Sequence, residues 1–328
     1  MPIRVAAIGV EHWHSLFDAA YLKTLARMPE VELVGLQDAD IALAGERAAQ
    51  VGGPPVFADY RDMLEKTRPD FVLALGRHNA MAAVAHFLLD AGYPFLMEKP
   101  MGVSAGEVKG IAEKAAARGT FAGVPLFQRL HPFVTHARRL VAEGAFGPLS
   151  HFHFRSNRGS SARYVAWGSP WMLDPASAGG GCLRNLGMHG VDLFLHLTGE
   201  DARVTGVELS SRALERAVED YACVILRTPS GVVGTIEVGN TNPTQGTDGE
   251  WKLSGRDALL LQEGGVVRCV TAKGEERLAG APAEPLPVLG LRDALARWQR
   301  GEQAAMGPAD CHRAARVIDE AYAIASRR

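Results

Sequence analysis

Over the first 122 residues, short apolar runs alternate with stretches of helical periodicity. The runs Ile3–Ile8, Val31–Gln37, Phe71–Leu75, Pro94–Met97 and Thr120–Val124 place apolar residues at successive positions, the pattern of strands buried on both faces. Between them the periodicity predicts helices over Ser15–Met28, Ile41–Val51, Asn79–Asp90 and Ser104–Arg118. Such alternation predicts α/β architecture, a doubly wound parallel sheet covered on both faces.

The pattern changes after Gly123. His131-Pro132 opens a helix reaching about Glu143, and from Ser150 the chain is rich in strands, near 150–157, 203–211, 220–228, 232–240, 250–254, 257–262 and 266–271. Pro229-Ser230-Gly231, Asp248-Gly249, Gly255 and Gly264-Gly265 separate them, which predicts a large, mostly antiparallel sheet. A helix near 182–196 should pack on one face of it, and helices near 288–300 and 309–326 complete an α+β domain. Residues 274–287 read as a loop. The expected division is 1–122 and 123–328.

A chain of 328 residues exceeds the size at which one core keeps growing, in keeping with two domains. The net charge of −2 provides no field for nucleic acid or an anionic membrane, and no apolar stretch approaches a membrane span. Four separated cysteines suit a reducing cytoplasm.

Two places carry candidate chemistry. Gly9 ends the first apolar run, where a dinucleotide-binding turn would follow, but Glu11 and His14 stand where the second and third glycines of that fingerprint belong. Three arrangements answer to this: Glu11 turned away while His12, His14 and a helix N-terminus hold the phosphates, a shifted cofactor, or a lost nucleotide function. Asp38 ends the second run, where an acid binds ribose hydroxyls and favours NAD over NADP. Asp40 is better placed to cap the following helix. The second place is Glu98-Lys99-Pro100, which puts one of only seven lysines at the end of a buried strand. Ligands of doubly wound sheets bind there, and a partly desolvated lysine can share its proton where arginine cannot. The Lys99-Pro100 bond can be cis.

Downstream, Gly179-Gly180-Gly181 precedes Asn185-Leu186-Gly187-Met188-His189. This order, with Glu98-Lys99-Pro100, resembles the Gfo/Idh/MocA family of nicotinamide-dependent sugar and inositol oxidoreductases, over nearly the whole chain. The resemblance implies a Rossmann domain binding NAD, with Gly76, Arg77 and His78 beside its nicotinamide half and Glu98 and Pro100 shaping the turn that presents Lys99. It also implies catalysis by Lys99, Asn185 and His189. Because Asn185 replaces the commoner aspartate, the proton falls to His189, with Lys99 polarising the reacting oxygen. Gln128 should border the cleft. Arg163, Tyr164 and Trp167 either touch a sugar or polyol substrate or form a packed lid. No metal is expected: His189, Asp192 and His196 share a helix face at a spacing that is more often structural. A homodimer or homotetramer is expected to cover the open sheet face if that face is apolar. The rival readings are a NAD-using glycosidase of the same family and a catalytically silent sugar or nucleotide sensor.

Overall fold

The structure, a computed structural model, describes residues 1–327. Six parallel strands form the first sheet: β1 (Ile3–Ile8), β2 (Val31–Gln37), β3 (Val56–Phe57), β4 (Phe71–Ala74), β5 (Phe95–Met97) and β6 (Ala122–Gly123). Their spatial order is β3-β2-β1-β4-β5-β6, so the chain reverses direction across the sheet between β1 and β4. The core strands are enclosed as their apolar runs require, with Ala6, Ala7, Val72, Ala74, Phe95 and Met97 wholly buried.

Helices α1 (Tyr21–Leu25), α2 (Ile41–Ala49), α3 (Tyr60–Thr67), α4 (His78–Ala91) and α5 (Ala105–Arg118) cover this sheet. The last two end where glycine takes the left-handed conformation, at Gly92 and Gly119. Asp40 does cap α2, accepting from the Leu43 N–H. Helix α3 and the short β3 have no counterpart among the expected elements.

The expected helix over Ser15–Met28 is largely absent. A 3₁₀ turn spans Trp13–Ser15, and α1 begins only at Tyr21. Asp18 and Ala20 adopt φ of 54° and 47°, left-handed values that a continuous right-handed helix cannot contain.

The second sheet has eight strands: β7 (Leu149–Gly159), β8 (Arg203–Ser210), β9 (Tyr221–Arg227), β10 (Val233–Asn242), β11 (Thr247–Gly255), β12 (Ala258–Glu263), β13 (Val266–Thr271) and β14 (Gly274–Ala279). The order is β14-β13-β12-β11-β7-β10-β9-β8, antiparallel except where β7 meets β10. Residues 274–279, expected in a loop, pair with β13 as an edge strand of exposed Gly, Glu and Arg followed by Leu278 and Ala279.

Helices α6 (Pro132–Ala142), α7 (Ala162–Ala166), α8 (Pro175–Ala178), α9 (Met188–Thr198), α10 (Leu286–Gln299) and α11 (Pro308–Ala325) complete the chain. Helix α9 lies on the inner sheet face at Gly190, where a Cβ would stand 2.6 Å from the Phe154 ring. The outer face carries His153, Arg155, Glu250 and Lys252, joined by ion pairs. Around β7 and β11 this face is therefore charged, while Ile225 on β9 is an exposed apolar residue. Among the described residues no helix is long and apolar enough to cross a membrane.

Candidate active site

Lys99 leaves the end of β5 and is 2% exposed. Its Nζ donates to the main-chain carbonyl of Asn185 at 2.9 Å and also to the Asn185 side-chain Oδ1. Asn185 lies in a widened helical turn, Leu183–Gly187, that runs directly into α9, and His189 follows one turn later. The Asn185 amide donates to the Tyr164 hydroxyl at 2.7 Å, which accepts from Arg163 Nη2 at 2.9 Å as well. The Lys99-Pro100 bond is cis.

These groups line a cavity of about 280 Å³ that also receives His14, Asp18, Tyr21, Glu98, Gln128 and Arg158. That volume sits at the lower edge of ordinary small-molecule sites, roughly 300 Å³ and upward. It has room for one small polar molecule.

The charges in the cavity are shaped by enclosure. Burial pulls the proton affinity of Lys99 below the usual lysine value, and Glu98 beside it works in the opposite direction. Burial, reinforced by the neighbouring Lys99, holds His189 well below 6.5, so its imidazole is neutral near neutrality. Burial opposes ionisation of Glu98, but His14, His12 and Lys99 together outweigh it and keep the carboxylate charged. Glu98 Oε1 sits 2.8 Å from His14 Nδ1 and accepts from the Tyr21 hydroxyl at 2.6 Å.

The turn after β1 is built for contact with the chain itself. Gly9 has φ +68°, and a Cβ there would lie 2.5 Å from the Gly76 Cα, so glycine is required for two loops to touch. The Glu11 carboxylate pairs with Arg77 at 2.8 and 2.9 Å, while the Glu11 N–H donates to Asp38 Oδ2 at 2.6 Å. Asp38 also accepts from the Asp40 N–H and is nearly buried. The His12 ring is fully enclosed, stacked on Trp13 with centroids 3.9 Å apart. His78 donates from Nδ1 to the Ala178 carbonyl at 2.8 Å. An arrangement in which His12, His14 and a helix N-terminus cradle phosphates is not the one found, because only a 3₁₀ turn begins there, the His12 ring is enclosed and the His14 ring is turned to Glu98.

A dinucleotide on such a sheet lies outside the strand ends at the reversal between β1 and β4. Gly9, the acid at the end of β2 and Lys99 at the end of β5 are the residues that position requires. The segment 160–179 crosses from the second sheet and packs on the turn after β1 as a strap. Ser169 Oγ donates to the Glu11 carbonyl at 2.6 Å, and Arg47 Nη2 bridges the Glu11 and Trp167 carbonyls. Trp167 stacks on Phe17 with centroids 5.6 Å apart, and Trp171 packs on His12 and His78. Gly9, Asp38 and Lys99 stand where a dinucleotide would need them.

Among the residues expected to touch substrate, Gln128, Arg163 and Tyr164 line the cavity, whereas Trp167 lies outside it. Arg158, paired to Asp18 at 2.9 Å, and Tyr21 are additional lining residues. Arg158 could have been found from its place at the end of a long strand. Tyr21 carried no signal, because its orientation depends on the broken helix. Asp192 is bound twice by Arg129, and His196 lies 3.0 Å from Arg138, so neither serves the site.

Residues 3–125 match the model of an oxidoreductase family with a NAD-binding Rossmann fold, and residues 134–260 match the GFO/IDH/MocA C-terminal domain. The chain is 28% identical to trans-1,2-dihydrobenzene-1,2-diol dehydrogenase of Oryctolagus cuniculus over 70% of each chain. It is 27% identical to inositol 2-dehydrogenase 1 of Saccharopolyspora erythraea, over 91% of this chain and 88% of that one. A solved levoglucosan dehydrogenase in complex with NADH and levoglucosan shares the fold, with a TM-score of 0.85 and 20% identity over 100% of this chain and 98% of that one.

Proposed function

The chain belongs to the Gfo/Idh/MocA oxidoreductase family, and on that premise we propose that it is a NAD-linked dehydrogenase or reductase of a small sugar, inositol or related polyol. The observation that carries this reading is the convergence of Lys99, Asn185 and His189 on one enclosed polar cavity at the end of β5. Relatives named for diol and inositol oxidation support a substrate bearing neighbouring hydroxyls.

Bound NAD supplies a hydride acceptor or donor. The rest of the chemistry belongs to the chain. Neutral His189 takes the proton of the reacting hydroxyl, and the Lys99 ammonium polarises the same oxygen. Asn185, whose amide cannot accept that proton, fixes Lys99 through two carbonyl oxygens. Tyr164 fixes Asn185 in turn. The strap 160–179 withdraws to admit the dinucleotide and, on return, keeps water from the reacting centre.

The packed strap favours a second reading, a protein that binds a sugar without transferring hydride. Calorimetric titration of cofactor-stripped protein with NAD, followed by a polyol screen at the NADH absorbance, separates the two. Saturable NAD binding and NADH formation that disappears in Lys99→Met support the dehydrogenase. Absence of NAD binding leaves the sensor.

A further inference from the structure

His12 and His14 straddle Trp13 on the turn after β1, and Glu98 ends β5 across the sheet reversal. Each of the three offers one ligand atom, and these atoms all lie within 4.8 Å of one another. No other such group of three occurs among the described residues. From this convergence we propose that His12, His14 and Glu98 form a site for one divalent transition-metal ion, zinc or a metal of similar preference.

The donor set is the argument for the class of ion. Two imidazoles and one carboxylate suit a borderline cation and leave a coordination position open, as catalytic zinc sites do. His14 and Glu98 line the cavity beside Lys99, so the open position faces the place where a water or a substrate oxygen would sit.

A second observation points to a missing ligand. The Nε2 atom of His12 is fully enclosed and has no hydrogen-bond partner. Its Nδ1 accepts from the His14 N–H at 3.1 Å, which leaves the ring proton on that unpartnered Nε2. A buried donor left without an acceptor is costly, and such groups call for a bound species. An ion bound at Nε2 takes the place of that proton and fills the unpartnered position, and the ring proton moves to Nδ1 at the cost of the His14 N–H contact.

The outer contacts are those a metal site requires. The Tyr21 hydroxyl and the Lys99 main-chain N–H hold the two oxygens of Glu98, at 2.6 and 3.1 Å, and orient the carboxylate from behind. The His14–Glu98 contact of 2.8 Å is the pairing that an ion would replace.

The test is titration of the full chain, stripped with a chelator and free of NAD, with Zn²⁺ by calorimetry and with Co²⁺ by visible absorption. One equivalent bound at micromolar affinity or tighter is expected, with the intense visible bands of Co²⁺ in a low-coordinate site. Tyr21→Phe should weaken binding roughly 10- to 100-fold by freeing Glu98. His14→Gln should abolish it while circular dichroism and the melting profile stay native. No saturable binding by the native chain would overturn the site, as would one equivalent retained at full affinity in His14→Gln. Since no dinucleotide takes part, failure of the dehydrogenase reading would leave this result unaffected.

Discussion

Ser169 Oγ donates to the main-chain carbonyl of Glu11 at 2.6 Å, joining the second domain to the turn that would face a cofactor. Around that bond Arg47, Trp167, Trp171 and the Ala178 carbonyl close the crevice from β1 to β4. Closure of this kind lowers apparent ligand affinity by the fraction of molecules in which the crevice is open.

Loosening the strap should therefore strengthen NAD binding. Trp167→Ala removes one stacked ring pair outside the cavity, an interaction of about 0.5–1.5 kcal/mol. The expected result is NAD affinity improved about 2- to 10-fold, with faster amide exchange over 160–179 when NAD is present. Unchanged affinity with unchanged exchange would show that the strap does not gate the crevice.

Lys99→Met keeps the length of the side chain and removes its charge. Loss of about 10²- to 10⁴-fold in kcat is expected, the range for a group that handles charge at a reacting oxygen. Substrate KM should change less. Equal losses in the variant's stability and activity would instead mark Lys99 as a structural tie to Asn185.

Much of this fold could be read from the chain because each strand's apolar run matches its burial. Phe95-Leu96-Met97 is continuous and enclosed, while Phe152 and Phe154 alternate with the outward His151, His153 and Arg155. The break in the first helix could not be read, since it rests on left-handed backbone at Asp18 and Ala20, residue types that helices also accept. Lys99, Asn185 and His189 were legible as motifs fixed to strand and helix ends. The strap was not, because its hold on Glu11, Phe17 and His78 is made through residues distant in sequence and through main-chain carbonyls that carry no side-chain signature.

Tyr164→Phe should expose how the relay to Lys99 is held. The hydroxyl accepts from both Asn185 and Arg163 in a buried setting, so its loss leaves the Asn185 amide without that acceptor and Arg163 Nη2 with Asn240 alone. A stability loss of about 1–3 kcal/mol is expected, measured as a lower urea midpoint at unchanged slope. Activity should fall as well, because Asn185 is then free to release Lys99. A variant as stable as the native chain would mean that water replaces the hydroxyl without penalty.

Acid should destabilise this protein earlier than its surface charges alone would require. His78 and His189 are buried and neutral, the first held down to about 3 and the second well below 6.5, in both cases chiefly by burial. The unfolded chain binds protons at these rings near pH 6.5, and the folded chain does not, so stability falls as pH drops below that value. The slope is about 1.4 kcal/mol per pH unit for each ring, and it persists for His78 until pH approaches its folded value of about 3. Above pH 7 both rings are neutral in either state and contribute no slope. Thermal melts between pH 4 and 8 check this. His78→Gln should flatten the acid limb by about one proton's worth, even if the variant is less stable at every pH, because Gln cannot titrate. An acid limb of unchanged steepness would assign the protons to other groups.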